Sequence, residues 1–301
     1  MIVVQLTGGM GNQLFQYAFA RHLALLNQSE LFLDTTQVAS RSDPAHRRTF
    51  KLHHFAIEAP VVDWEPPFGS SFRTPTARYS RRAVPFLSRL LGRNRHLVVL
   101  SESHFHFDPT ALSRRGDLYV TSYWQSPRYF DDISMQIRSD LRLRHPLNPD
   151  HSLIKEQIEA APESVAFIVR RGDFAHHPHH SKFHGCCSHE YYRLALEIIR
   201  SRFANPHLFV FSDDIPWVRD NFEFECPATF MDQAYDHSEY DYVDLHLISC
   251  CRHHIIANST FGWWGAWLGS SPDSIVIAPK KWFLDTSINT DDVVPSQWIR
   301  L

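Results

Sequence analysis

Residues 164–174 read SVAFIVRRGDF. An apolar run, rich in β-branched and aromatic side chains, drives straight into Arg170 and Arg171, followed by Gly172 and Asp173. Such a run, bounded by a glycine, reads as a strand buried on both faces. HEYYRLALEIIRSRF (189–203) then repeats its apolar positions at helical spacing, and HLFVFSDD (207–214) is a second apolar run ending in charge. Strand, helix, strand is the unit of a parallel sheet. The rhythm continues with helix IPWVRDNF, strand ATFMD, helix YDYVDLHLISCCRH, strand HIIAN, helix STFGWWGAWLG and strand SIVIAP (274–279).

Toward the N-terminus the same alternation opens the chain. IVVQL (2–6) is a strand and TGGMGNQ (7–13) a glycine turn. Leu14, Phe15, Ala18, Phe19, His22, Leu25 and Leu26 follow helical spacing, and ELFLD (30–34) is a second strand. Residues 35–80, with VVDWEPPFGSS, read as loop. DLYVTSYWQS (117–126) is a strand running into an aromatic loop, and RYFDDISMQIRSDL (128–141) is helical. RHPLNPDH (144–151) is a proline-marked break, so the expected domains are 1–148 and 149–301. The predicted fold class is α/β, with two Rossmann-like domains facing a cleft. Ligands of such sheets bind beyond the carboxyl ends of the strands.

The bulk properties exclude several classes. The 301 residues are 44% hydrophobic and 21% charged, so the chain builds a core and is not disordered. A net charge of -3 argues against a protein that binds nucleic acid through a bulk positive field. Of the five cysteines, Cys186–Cys187 and Cys250–Cys251 are adjacent pairs, a poor spacing for disulfides, which suggests reduced thiols in a cytosol. No run reaches the roughly 18 apolar residues of a membrane span, and MIVVQLTGG lacks a basic leader segment. The expected localisation is cytoplasmic.

The polar residues at strand ends carry the chemistry. Neighbouring side chains of a strand point to opposite faces, so Arg170 and Arg171 cannot both meet one ligand. One meets the cleft; the other turns inward and needs a partner, for which Asp173 is a nearby candidate, with Gly172 as the turn between them. A structural Arg–Asp bridge is the alternative. In GGMGNQLF (8–15), Gly9 and Gly11 allow backbone amides to approach a phosphate, and the following helix offers its positive end. Asn12 fits an N-cap, and Asn12 and Gln13 bring amides that suit sugar hydroxyls or a diphosphate oxygen. The stretch also resembles a dinucleotide fingerprint, with Asp34 ending the second strand, but Leu14 stands where its third glycine belongs. Asp213 or Asp214 can accept from a guanine or a ribose, and Asn258, Ser259 and Thr260 can cap the next helix and leave its amides for a phosphate. Helix capping alone also accounts for both sets.

QLTGGMGNQLFQYAFAR, RRTFKLHHF (47–55), YWQSPRYF, FIVRRGDF, FSDD and IIANSTFGWWGAWLG together resemble the α-1,2-fucosyltransferases, glycosyltransferase family 11. The segments occur in that family's order from residue 2 to about 268, and RRGD and NSTFGWWGAW are the most specific. The resemblance implies a two-domain GT-B fold with GDP-β-L-fucose seated mainly on the C-terminal half. It implies inverting transfer to the 2-hydroxyl of a galactose, with no divalent metal and no cofactor. Arg170 is then assigned to the β-phosphate and Arg171 to bracing. The donor-side set is Gly9, Gly11, Asn12, Gln13, Arg170, Arg171, Asp213, Asp214, Asn258, Ser259 and Thr260. The acceptor-side set is Tyr123, Trp124 and Gln125. The catalytic pair is Arg170 and Asp173, with Glu190 a weaker candidate base. The family pattern H-x-R-R-x-D has Ile168 here in place of its histidine.

The run 176–189 carries His176, His177, His179, His180, His184, Cys186, Cys187 and His189, metal-ligand types at no standard zinc spacing, and reads as an acceptor-side lid loop rather than a zinc site. Other signals read as structural. Cys250, Cys251 and His253 read as core, as do Trp263, Trp264 and Trp267. ARYSRRAVPFLSRLLGRNRH (77–96) is basic and partly amphipathic, broken by Pro85; it suits either a solvated face or peripheral contact with an anionic membrane. The expected partners are GDP-fucose and a galactose-terminated oligosaccharide or lipid-linked glycan, and no nucleic acid. The alternatives are an NAD(P)-dependent oxidoreductase and a non-catalytic nucleotide- or glycan-binding protein of the same fold.

Overall fold

The computed structural model describes residues 1–39, 49–62, 97–172, 175, 183–232 and 240–301. The expectations placed on Asp173, on the histidines 176–180 and on the basic stretch 77–96 lie outside the described residues. The chain divides into two compact units, Met1–Arg142 and Leu143–Leu301.

The first unit is built on β1 (Ile2–Gln5), α1 (Met10–Leu26), β2 (Leu31–Asp34), a short α2 (Thr36–Ala39), β3 (Val61–Val62), β4 (Val98–Leu100), α3 (Pro109–Leu112), β5 (Leu118–Val120) and α4 (Ser134–Asp140). The strands form one sheet in the order β3-β2-β1-β5-β4, parallel at every pairing. β1 sits at its centre with Ile2, Val3 and Val4 fully buried. α1 packs on it through Leu14, Phe15, Ala18 and Phe19, none of them exposed. The chain leaves β1 toward β2 on one side and returns as β5 on the other, so the carboxyl ends of β1 and β5 mark the point where the winding reverses.

The second unit runs α5 (Pro149–Ala160), β6 (Ser164–Val169), α6 (His189–Arg202), β7 (His207–Ser212), α7 (Ile215–Asn221), β8 (Ala228–Phe230), α8 (Asp241–Cys250), β9 (His253–Ile255), α9 (Thr260–Gly269), β10 (Val276–Ala278) and β11 (Ile299–Arg300). Its strands lie in the order β11-β10-β9-β6-β7-β8, again all parallel. All six residues of β6 are buried, as a central parallel strand covered on both faces requires. The chain crosses from β6 to β7 on one side and from β8 to β9 on the other, which places the reversal between β6 and β9.

Local chemistry explains the elements. Ser188 caps α6 by accepting from the Tyr191 amide at 3.2 Å, Glu190 lies in the first turn, and Arg200 and Arg202 lie in the last, each matched to the helix dipole. Tyr191, Ala195 and Ile199 fall four apart and form the buried face, while Arg193 pairs with Glu190 at 2.6 Å on the exposed one. The proline-marked stretch 144–151 is a helix start: Asn148 accepts from the His151 amide at 2.8 Å, with Pro149 in the first turn. The helix α5 that it opens, and the short strands β3, β4 and β11, are absent from the periodicity reading. Each of those strands is two or three residues long, too short for a period of two to register.

Trp263, Trp264 and Trp267 are buried and pack ring against ring, with the Trp263 indole donating to the Val293 carbonyl at 2.7 Å. Cys251 and His253 are buried as well. Among the described residues no helix is long and apolar enough to cross a membrane.

Candidate active site

In the second unit, the polar residues gather at the carboxyl ends of β6 and β7. Arg170 Nη1 lies 2.9 Å from Asp213 Oδ2, and Arg171 Nε lies 3.5 Å from Asp214 Oδ2. The Arg171 amide donates to Asp213 Oδ1 at 2.8 Å, so Asp213 holds both backbone and side chain of the opposite strand end. Asp214 also caps α7, accepting from the Trp217 amide at 3.2 Å, and the guanidinium of Arg171 lies 3.6 Å over the Trp217 ring. The two arginines therefore take different carboxylates, as their opposite faces on the strand require. The described partners of Arg171 are Asp214 and Trp217; the expectation of Asp173 in that role lies outside the described residues.

Asp213 and Asp214, expected as readers of a base or ribose, each face an arginine here. Trp217, which the sequence reading passes over as one more helix residue, belongs to the cluster. Its position one turn after the Asp-Asp pair is the signal that marks it. Gly172 is explained by a close approach: a Cβ there would lie 2.3 Å from Asp213 Oδ2. Ile168 is buried and packs beneath the first turn of α9, where a Cβ on Gly262 would lie 3.3 Å from Ile168 Cδ1.

β9 is the neighbour of β6 on the other side, and its end carries the second group. Ser259 is the N-cap of α9, accepting from the Phe261 amide at 3.3 Å, and Thr260 is half-buried as the first residue of that helix. The α9 N-terminus thus shares the carboxyl edge with Arg170, and a helix end of this kind favours an anion. Asn258 is placed differently from the expectation. Its buried amide donates toward the carbonyls of His184, Gly185 and Trp282 at 2.9, 3.2 and 3.2 Å, and its Oδ1 accepts from Cys187 Sγ at 3.6 Å. Burial pushes that thiol up to about 12, so it is the protonated donor at neutral pH. Asn258 is a clamp on the 184–187 segment. Glu190 is fully exposed and paired with Arg193, which holds its carboxyl below the usual range.

In the first unit, the glycine loop and the aromatic loop meet at the ends of β1 and β5. Gly8 adopts φ +77°, where a side chain is strained and a Cβ would meet the Asn12 amide at 2.5 Å. Helix α1 starts earlier than expected: Gly9 is its N-cap and Gly11 is buried in its first turn, so Asn12 is not the cap. Asn12 Oδ1 instead accepts from Gln125 Nε2 at 3.0 Å, joining the two loops. Gln13 is fully buried, donating to the carbonyls of Gly8 and Thr49 at 3.1 and 2.9 Å and accepting from the Lys51 amide at 3.1 Å. It pins the segment after residue 48 to the glycine loop. Gln16, which the sequence reading overlooks, does the same for the aromatic loop, accepting from the Thr7 amide at 2.9 Å and donating to the Ser122 carbonyl at 3.0 Å. Two glutamines on an otherwise apolar helix face were the available signal.

Of the acceptor-side residues, Tyr123 is exposed, Gln125 is buried against Asn12, and Trp124 is core: its ring stacks on Phe19 at 3.9 Å. Asp34 is fully buried, accepting from the Tyr119 hydroxyl at 2.6 Å and the Thr36 hydroxyl at 2.7 Å. Those bonds occupy the carboxylate that an oxidoreductase of this type would turn toward a ribose. Among the described residues no cluster of three or more His, Cys, Asp or Glu side chains is arranged to hold a metal ion.

Comparison with known proteins agrees with this geometry. The profile of glycosyl transferase family 11 matches residues 99–301. The chain is 32% identical to the O-antigen biosynthesis glycosyltransferase WbnK of Escherichia coli, over 98% of this chain and 99% of that protein. It is 30% identical to an alpha-1,2-colitosyltransferase of Escherichia coli, over 100% of this chain and 99% of that one. Among solved structures it resembles NodZ alpha-1,6-fucosyltransferase, in a crystal soaked with GDP-fucose, at a TM-score of 0.50 and 14% identity, over 89% of this chain and 92% of that one. With its two parallel-sheet units of the GT-B type, the chain belongs to glycosyltransferase family 11.

Proposed function

We propose that the chain transfers L-fucose from GDP-β-L-fucose to the 2-hydroxyl of a terminal galactose, with inversion, to form an α-1,2-fucoside. The observation that carries this reading is Arg170, held by Asp213 at the winding reversal of the second sheet, on the same carboxyl edge as the α9 N-terminus. In the transfer, the acceptor oxygen bonds to the anomeric carbon as the bond from that carbon to the β-phosphate oxygen breaks. The electron pair leaves with GDP, and the hydroxyl proton passes to a base or to a phosphate oxygen. Positive character grows on the sugar and negative charge on the diphosphate. A guanidinium presents five N–H donors, so the Asp213 contact does not preclude a phosphate contact. A bond that tightens as the charge develops lowers the barrier.

In this reading Arg171, sandwiched between Asp214 and Trp217, braces the strand end. Fixed cations do the work of a bound metal, and no cofactor is required. The acceptor is a galactose-terminated oligosaccharide or lipid-linked glycan, with work at the cytoplasmic side of a membrane. A second donor is favoured by the 30% identical colitosyltransferase: GDP-colitose, whose sugar is the 3-deoxy analogue of L-fucose.

The test is incubation with GDP-fucose or GDP-colitose and a panel of galactosides, with the product linkage assigned by NMR. An α-1,2-fucoside formed faster than the colitoside supports the first reading. GDP binding without transfer of either sugar to any galactoside would reduce the chain to a nucleotide-binding relative.

A further inference from the structure

The loop after β5 is held in a conformation that its residues disfavour. Ser122 has φ +79° and Trp124 φ +57°, the left-handed region that bulky side chains rarely enter. Such backbone persists only where the surroundings over-determine it, and it concentrates at functional sites. Here the loop is tied from three directions. Gln16 holds the Ser122 carbonyl at 3.0 Å, and Asn12 holds the Gln125 amide at 3.0 Å. The third tie is Glu102, just beyond β4: its Oε2 accepts from the Tyr123 amide at 2.9 Å, while its own amide donates to Ser122 Oγ at 3.3 Å. Ser122 Oγ also lies 2.8 Å from Ser101 Oγ.

The consequence is the placement of Tyr123. Both of its neighbours are left-handed, Trp124 is anchored in the core at 1% exposure, and Tyr123 is 38% exposed between them. Packing does not call for a carboxylate at 102. Glu102 Oε1 is buried with no hydrogen-bond partner, and no Lys or Arg pairs with it among the described residues. Burial holds this carboxyl above the usual range, against the opposing pull of the Tyr123 and Trp124 amides and of His104.

We propose that Glu102 is a positioning residue for the acceptor: by holding the Tyr123 amide, it sets the Tyr123 ring as a stacking platform at the carboxyl edge of the first sheet. Galactose suits such a platform, since its axial 4-hydroxyl leaves the C3, C4 and C5 hydrogens as one apolar face for an aromatic ring. This inference rests on the galactoside-transferase reading above and adds the residues that recognise the acceptor.

The experiment compares the full chain with its Tyr123→Ala, Glu102→Ala and Glu102→Gln variants. Four quantities are read: acceptor KM and donor KM in transfer, GDP affinity, and saturation-transfer NMR on methyl β-galactoside. Tyr123→Ala and Glu102→Ala are expected to raise the acceptor KM about tenfold and weaken the NMR signal, with donor KM and GDP affinity unchanged. Glu102→Gln, whose carbonyl still accepts from the Tyr123 amide, is expected to stay within about twofold of the parent. An unchanged acceptor KM in Tyr123→Ala, or an equal rise in donor KM, overturns the inference even if Glu102→Ala fails to fold. A parent chain that transfers no sugar but binds the galactoside in a Tyr123-dependent way keeps this inference and refutes the transfer reading. A parent that does neither refutes both.

Discussion

Arg170 and Asp213 end neighbouring parallel strands and meet in an ion pair of 2.9 Å, with their side chains 28% and 24% exposed. One residue further along each strand, Arg171 and Asp214 form the second pair, and Trp217 covers Arg171. Two guanidinium groups at the end of a buried strand are tolerable because each has its own carboxylate. In the proposed reaction the Arg170 pair faces the diphosphate, and the Arg171 pair stiffens the edge that carries it.

Arg170→Ala is expected to lower kcat for transfer by about 10- to 100-fold, the range of a lost hydrogen bond to a charged group. Arg170→Lys should rescue poorly, because a point ammonium cannot reproduce the planar fork. Steady-state kinetics with GDP-fucose decide it, and near-normal kcat in the lysine variant would count against the phosphate role.

Gly172→Ala places a Cβ 2.3 Å from Asp213 Oδ2, so the carboxylate must move. The expected outcome is a kcat reduced by about tenfold, with Tm lowered by no more than about 2–4 °C. Unchanged turnover would show that Arg170 keeps its position without Asp213.

Asn258→Ala removes the amide shared by the carbonyls of His184, Gly185 and Trp282. It is expected to cost about 1–3 kcal/mol in urea unfolding. Proteolysis should also speed up at the 184–187 segment. A variant as stable as the parent would mean that the clamp carries no net stability.

Stability should fall on acidification. His254 is fully buried, and desolvation holds it down to about 4, while His207, His246 and His253 are also shifted down, each chiefly by burial. The unfolded chain binds protons on these rings below the ordinary histidine value, near 6.5, whereas the folded chain does not until lower pH. Their stabilisation is therefore complete above about pH 7 and is lost between about 6.5 and 4. Urea midpoints at pH 7.5 and 5.0 check the sign; a higher midpoint at pH 5.0 would refute it.

Chelation should leave transfer intact, because arginine rather than a bound cation is assigned to the leaving diphosphate. Activity lost in EDTA and restored by zinc would move attention to the histidines at 176–180.

What was legible in the sequence is local. The five apolar residues before Arg170, the four-residue spacing of Tyr191, Ala195 and Ile199, and the glycines at 8 and 9 each announce their element within a few positions. Repeated strand–helix alternation then implies the parallel sheets. The helix at 149–160 is hidden by a proline-rich start that resembles a linker, and it is Asn148 as the N-cap that makes it a helix start. The placements of Asn258, Gln13 and Trp124 differ from the expectation for a common reason. Asn258 and Trp124 follow strand ends and Gln13 lies in the first turns of α1, and only the surroundings decide whether each faces a ligand or the interior.

The amino-acid sequence by itself determined the longer elements and their order, the α/β class and the family, because side-chain period and motif order are properties of the linear chain. Tertiary structure decided the partners. Arg170 finds Asp213 and Glu102 finds Tyr123 across stretches of chain that no local pattern spans. Strand adjacency, not sequence proximity, sets which charges meet, and burial then decides which of those contacts must be made.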